Sequence, residues 1–274
     1  MKTLKNKINF LSLLVIMYIL FIISIIIISL VFFLIKKNND NFDDNINHVN
    51  KIKNVFDAYY INLKRRPDKN EKTLKEINKS KILKNKMQRF EGIDGKDLDL
   101  KPYYDSKLSY DLLEKRKGWI GCALSHMKLW EKCIENGRPM LIFEDDNVIK
   151  EKLFDTHLIK IINNLPNDFD IIYLVTDNTV KYKPYNDLFV QAINNNSILS
   201  SYIIGPRGAK NLLNNIKPFK PYLQIDWYII MLTRKNIINC YIYKRSIMYT
   251  YQDFNTTDIQ GKTNYIKKFE KEYI

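Results

Sequence analysis

The chain has 274 residues, 46% hydrophobic and 13% aromatic, enough for one large core or two small ones even with a membrane segment set aside. Its formal net charge is +14, but Lys2, Lys5, Lys7, Lys36 and Lys37 flank one apolar segment without an acid among them, which leaves +9 for everything else. That remainder travels with abundant Asn and Ile and forms no designed patch, so no nucleic-acid partner is expected, and the three cysteines make no metal pattern and leave at least one unpaired.

Residues 10–35, "FLSLLVIMYILFIISIIIISLVFFLI", contain no charge, proline or glycine and exceed the roughly 20 residues that span a bilayer as a helix. A cleaved signal peptide has an apolar core of about 7–15 residues and a small-residue cleavage site. The following "KKNNDNFDDN" offers no such site, so the segment is read as a retained signal anchor behind a short cytoplasmic tail, residues 1–9. Lysines on both sides favour an inside N-terminus modestly, which makes this a single-pass type II protein with its bulk in a lumen (endoplasmic reticulum or Golgi) or otherwise extracytoplasmic. Residues 36–54 are polar, rich in Asn and Asp and without apolar periodicity, and read as a flexible stem before a catalytic domain over 55–274. Sequons at Asn78, Asn195 and Asn255 suit a secretory lumen, although an Asn-rich chain also produces them by chance.

The stretch "VFDAYYINL" predicts a strand, "KRRPDK" a turn with Pro67 at its end or at a first helical position, and "KNEKTLKEINKSKIL" a helix. "QRFEGIDGKDL" begins as a short strand and carries an Asp94-Gly95 turn signal. In "GWIGCALSHMKLWEKCIENG", Ile120, Leu124, Met127, Trp130 and Ile134 recur at helical spacing and Asn136-Gly137 supplies a stop. Cys122 and Cys133 on that one helix would stand about 16 Å apart, beyond disulfide reach. "MLIF" and "FDIIYLV" read as buried strands, with a helical stretch between them, and "SYIIGPRGAKNLLNNI" as strand, turn and helix. Helices alternating with apolar strands predict an α/β fold with a mostly parallel sheet covered on both faces.

"MLIF" runs directly into Glu144, Asp145 and Asp146. Like charges that close disfavour one another's ionisation unless positive groups or a cation hold them. In an open parallel sheet, ligands bind beyond the carboxyl ends of the strands, where this triplet falls. In extended backbone Glu144 and Asp146 share one side, as a hard cation such as Mn²⁺ or Mg²⁺ requires, while no His or Cys cluster accompanies them to suggest zinc. An acidic turn or helix N-terminus would explain the triplet equally well on its own.

Together, "AYYINLKRRPDK", "QRFEGIDGKDL", "GWIGCALSHMKLWEKC", "MLIFEDDNVI", "DFDIIYL", "SYIIGPRGAKNLL" and "YLQIDWYI" resemble glycosyltransferase family 25 in order and approximate spacing over about residues 57–255. The family includes lipooligosaccharide galactosyltransferases and collagen hydroxylysine galactosyltransferases. The resemblance implies a GT-A-type fold, a UDP-hexose donor, most often UDP-galactose, a Mn²⁺ ion and inversion at the sugar carbon. It implies a glycan, lipid-linked oligosaccharide or collagen-like protein as acceptor, with galactose against glucose undecided. In that light "EDD" looks like the family's Asp-x-Asp metal motif, with Glu144 and Asp146 as its outer members and Asp145 on the nucleotide-sugar side.

The remaining roles come by the same carry-over. Asn62 and Arg66 close the first strand, where such enzymes hold the nucleotide, and Asp94 resembles a second nucleotide-side motif. Gly121, Ser125 and His126 belong to "GCALSH": Gly121 allows close backbone approach to a ligand, and Ser125 and His126 fall off the apolar stripe toward donor or acceptor. Inversion needs one base for the acceptor hydroxyl, and Asp226 in "YLQIDWYI" takes that role, with Glu131, Asp170 and Asp177 as alternatives. Trp227 beside it could stack on a sugar face. The strand "DFDIIYLVTDN" departs from the family in lacking a glycine soon after it. A metal-dependent phosphoester or phosphoanhydride hydrolase and a noncatalytic membrane-tethered binder are the competing readings. The hydrolase lacks the second carboxylate or His cluster of a two-metal site.

Overall fold

A computed structural model of the chain describes residues 23, 26, 27, 29–31, 55–104, 107–149, 152–175, 180–193, 198–245 and 248–250. The predicted stem and most of the predicted anchor lie outside these residues, as do Asp177, Asn195 and Asn255. Ile23, Ile26, Ile27, Ser29, Leu30 and Val31 are helical and exposed. Among the described residues no helix is long and apolar enough to cross a membrane. The chain divides into two units between residues 51 and 52, and the site lies in the second.

That unit opens with β1 (Asp57–Asn62), α1 (Pro67–Ile77), α2 (Lys81–Lys84) and β2 (Gln88–Glu91). The predicted single helix over "KNEKTLKEINKSKIL" is broken because Ser80 caps a new turn, its hydroxyl accepting from the Leu83 N–H at 3.0 Å. Next come α3 (Tyr110–Lys115), the long helix α4 (Lys117–Asn136) and β3 (Met140–Glu144). Gly137 ends α4 in the left-handed conformation, φ 66°, at the predicted stop. After β4 (Asn147–Ile149) follow α5 (Phe154–Asn163), β5 (Ile171–Tyr173), the hairpin β6 (Tyr182–Pro184) and β7 (Phe189–Ala192), and β8 (Ser201–Ile204). The described chain closes with α6 (Pro206–Ile216), α7 (Ile225–Arg234), β9 (Cys240–Tyr243) and β10 (Met248–Thr250), the last paired antiparallel with β4.

The main sheet has the order β2-β1-β3-β8-β5-β9-β7-β6. It is mixed, which corrects the expectation of a mostly parallel sheet. β1, β2 and β3 are mutually parallel, and β5 is parallel to β9, but β8 inserts antiparallel between β3 and β5 and β7 pairs antiparallel with β9. Every residue of β8 is buried, so its sequence lacks the alternation that marks a one-sided antiparallel strand. Met140 to Phe143 of β3 are buried, and α4 packs on the same core with Ile120, Met127, Leu129 and Trp130. Because Ile61 pairs with Glu144 and Asn62 with Glu91, the carboxyl ends of β1, β2 and β3 meet at one edge, and the site is built there.

Candidate active site

Glu144 is the last residue of β3, and Asp145 and Asp146 form the turn into β4. The turn is fixed from below: the Glu144 N–H donates to Ser200 O at 2.8 Å, and Asn147 Nδ2 donates back to Glu144 O at 3.0 Å. Asp145 points into the protein. Its Oδ2 accepts from Asn62 Nδ2 at 2.8 Å and its Oδ1 faces Lys69 Nζ at 3.3 Å. Burial raises its pKa, and Lys69 and Asn62 oppose that rise.

Glu144 and Asp146 behave differently. Asp146 Oδ1 is a buried side-chain oxygen without a hydrogen-bond partner, and burial first, Glu144 second, pushes this carboxyl well up. The Asp226 carboxyl, in the first turn of α7, is pushed up to about 8 by burial and again by Glu144. Cys122 of α4 feels all of these carboxylates: burial, then Glu144, Asp226 and Asp146 push its thiol well above the ordinary range. Glu144 thus acts electrostatically on both Asp146 and Asp226, and Cys122 feels all three, although α7 is far from α4 and β3 in sequence. An orphaned carboxylate oxygen beside two further acids fits a bound divalent cation, with Glu144 and Asp146 as the groups able to hold it.

Glu144 is aimed by α4. His126, fully buried, has Nε2 3.1 Å from Glu144 Oε1 and Nδ1 2.9 Å from the Tyr202 hydroxyl. Trp130 Nε1–H donates to the same hydroxyl at 2.8 Å. An indole nitrogen only donates, so the hydroxyl accepts from Trp130 and turns its own proton to His126 Nδ1. Nε2–H then donates to the Glu144 carboxylate. The series Trp130, Tyr202, His126, Glu144 thus fixes a tautomer and a side-chain direction.

Other predicted site residues lie at this edge with their polar groups turned to the protein itself. Both Asn62 Nδ2 hydrogens are used, on Asp145 and on Arg66 O at 3.1 Å, and its Oδ1 accepts from Arg89 Nε at 3.0 Å. Arg66 pairs with Asp68 at 2.7 Å. Asp94 pairs with Arg65 and accepts from the Lys96 N–H at 3.0 Å, capping the short turn Gly95–Asp97. Gly121 approaches backbone, not a ligand: a Cβ there would lie 2.5 Å from Ile93 O and 2.7 Å from Gly95 N. Ser125 accepts from the Ile93 N–H at 2.8 Å and donates to Gly121 O at 2.7 Å. "IDG" and "GCALSH" are therefore two halves of one contact, in which Gly121 packs against backbone and the Ser125 hydroxyl is bonded within the protein.

Of the alternative bases, Asp170 is spent structurally. Its Oδ1 accepts from Arg207 Nε at 3.1 Å and Asn211 Nδ2 at 3.2 Å, and its Oδ2 from the Asn239 N–H at 2.7 Å. It precedes Ile171, which pairs through Ile204 with Met140, so it stands at the opposite end of the sheet from Glu144. Glu131 is held by Lys217 at 2.6 Å and Lys128 at 3.0 Å. Trp227 is half-buried beside Asp226.

Sequence reasoning missed Lys69, Tyr202 and Cys122. Lys69 lies among many similar lysines and Tyr202 in an ordinary apolar strand. Cys122 carried a usable signal: four residues before His126 on a helix, it shares that residue's face. The absence of any His or Cys beside the carboxylates is likewise corrected, because Cys122, His126 and Glu144 offer ligand atoms within 4.8 Å of one another.

The profile of the family described as "Glycosyltransferase family 25 (LPS biosynthesis protein)" matches residues 56–229, more than half of the chain. A "Glycosyltransferase 25 family member" of Anopheles gambiae is 30% identical over 186 residues, 62% of this chain and 30% of that protein. "Procollagen galactosyltransferase 2" of Homo sapiens is 25% identical over 198 residues, 66% of this chain and 30% of that protein. "Probable inactive glycosyltransferase 25 family member 3" of Bos taurus is 24% identical over 192 residues, 64% of this chain and 30% of that protein. The chain thus spans under a third of the length of these relatives.

Proposed function

The chain belongs to glycosyltransferase family 25, and on that footing we propose that it moves a hexose, galactose before glucose, from a UDP-sugar to an acceptor hydroxyl with inversion and with the help of Mn²⁺ or Mg²⁺. The observation that carries this reading is that Glu144, at the carboxyl end of β3, acts electrostatically on both Asp146, with its partnerless buried oxygen, and Asp226. Galactose is preferred because relatives are named procollagen galactosyltransferases. The acceptor is a hydroxyl of a glycan, a lipid-linked oligosaccharide or a hydroxylysine-containing protein. The uncharged segment 10–35 supports a membrane-tethered enzyme with this domain outside the cytoplasm.

In this mechanism Glu144 and Asp146 would hold the cation, whose charge would offset that of the diphosphate and of the departing UDP. His126 keeps the Glu144 carboxylate turned toward the site, and Asn62 and Lys69 keep Asp145 out of it. Asp226 takes the proton of the acceptor hydroxyl as the oxygen attacks the sugar carbon. A carboxyl pushed up to about 8 is a stronger base than an ordinary one when ionised.

Calorimetric titration of the purified full chain with UDP tests the reading. Binding is expected with Mn²⁺, absent with a chelator, and lost in Glu144→Ala. Equal binding with and without metal would favour the noncatalytic binder, a reading that a relative named as inactive keeps relevant.

A further inference from the structure

Glu144 receives two groups on a single oxygen. His126 Nε2 lies 3.1 Å and Cys122 Sγ 3.9 Å from its Oε1. Cys122 and His126 stand one turn apart on the same face of α4, and Glu144 reaches them from the end of β3. Rigid elements therefore present a thiol, an imidazole and a carboxylate to one volume, each offering an atom within 4.8 Å of the other two.

From this geometry we infer that Cys122, His126 and Glu144 form a site for a thiophilic divalent cation of the zinc and cobalt class, sharing Glu144 with the harder oxygen site but otherwise distinct from it. Ligand atoms around a tetrahedral zinc, with bonds of about 2.0–2.3 Å, stand roughly 3.3–3.7 Å apart, so the two separations from Glu144 Oε1 need only a few tenths of an ångström, and the widest separation, up to 4.8 Å, must close by about an ångström through side-chain rotation. They fill three positions. A fourth position is left for a water or a substrate atom, as in catalytic zinc centres with three protein ligands. A thiolate and an imidazole select such a cation over Mg²⁺ or Mn²⁺, which prefer oxygen.

The proton balance is simple. An ordinary cysteine thiol is protonated at neutral pH. The entering cation replaces the thiol proton, which leaves to solvent, and forms one bond each to Sγ, Nε2 and Oε1. The Nε2 proton of His126 passes to Nδ1, which then donates to the Tyr202 hydroxyl oxygen in place of accepting from it. One proton is released for each cation bound. Binding does not depend on sugar transfer. If the proposed function holds, the same cation takes Glu144 from the oxygen site, and Zn²⁺ inhibits transfer in competition with Mn²⁺.

Absorption spectroscopy of the reduced full chain titrated with Co²⁺ alone tests the site. The expected spectrum has a near-ultraviolet thiolate-to-cobalt charge-transfer band and intense visible bands of low-coordinate cobalt, both bleached by one equivalent of Zn²⁺. Cys122→Ser should abolish the charge-transfer band, and His126→Gln should weaken cobalt binding by about tenfold or more. A weak spectrum of six-coordinate, oxygen-bound cobalt in the parent chain, or a charge-transfer band that survives Cys122→Ser, would overturn the proposal. Because the parent spectrum alone can overturn it, a Cys122→Ser chain that failed to fold would not shelter it. UDP binding with Mn²⁺ in the same preparation reports separately on the transferase reading.

Discussion

The hydroxyl of Tyr202 lies 2.9 Å from Nδ1 of His126, and both residues are fully buried behind the acidic edge. A strand in the middle of the sheet thereby sets the direction of Glu144 through the imidazole between them. Tyr202→Phe removes the partner of His126 Nδ1 and strands the Trp130 indole N–H. It should cost about 1–3 kcal/mol of stability, and it should weaken Mn²⁺-dependent UDP binding by roughly 10–100-fold, as loss of an outer-shell partner does at metal sites. Thermal melting and calorimetry read the two effects. A destabilised chain with unchanged metal dependence would show that Tyr202 only packs.

Gly121 and Gly95 should tolerate no side chain. A Cβ at Gly95 would lie 2.0 Å from Lys117 O, and one at Gly121 2.5 Å from Ile93 O, both against backbone. Each change to Ala should cost at least about 2 kcal/mol and lower the melting temperature by several degrees. A melting curve superposable on the parent's would refute the locked contact.

Asp226 gives stability a sign-definite pH dependence. Its folded pKa, about 8, exceeds the ordinary 3.8, so the folded chain holds this proton more tightly. The stabilisation is complete below about pH 4 and is lost as pH rises toward 8. In chelator, Asp226→Asn, which stays neutral, should melt above the parent at pH 8 by about 2 kcal/mol equivalent, the difference closing toward pH 4. A difference constant across that range would refute the raised carboxyl of Asp226.

Asn62 serves the fold of the edge. Asn62→Ala removes one side-chain partner from each of Asp145 and Arg89, leaving Asp145 to Lys69 and Arg89 to Glu91 and the residue-62 carbonyl. A loss of about 1–3 kcal/mol is expected in chemical denaturation. Full stability would mean that the hydrogen bonds of Asn62 are replaceable by water.

Periodic segments were the legible part of the chain. The helix α4, its glycine stop and the apolar run of β3 follow from local spacing, with Ile120, Met127 and Trp130 of the stripe buried, Leu124 half-buried and Ile134 exposed, and the acidic triplet falls at the strand end where it was expected. The direction of β8 was illegible, because a strand buried on both faces carries the same apolar signature either way. Ser125 and His126, which fall off the apolar stripe of α4, are buried, since α4 is covered well beyond a single stripe. The meeting of Glu144 with Asp226, and of Cys122 with both, depends on how α4, β3 and α7 pack, which no local pattern encodes.

The central claim is that the carboxylates gather to serve metal-dependent transfer from a UDP-sugar. Its most direct test is UDP release by the purified full chain across a panel of UDP-sugars, with Mn²⁺ and with chelator. The account predicts release from one hexose donor, only with metal, and its loss in both Glu144→Ala and Asp226→Asn. A folded chain that releases UDP from no donor and fails to bind UDP with Mn²⁺ would contradict it.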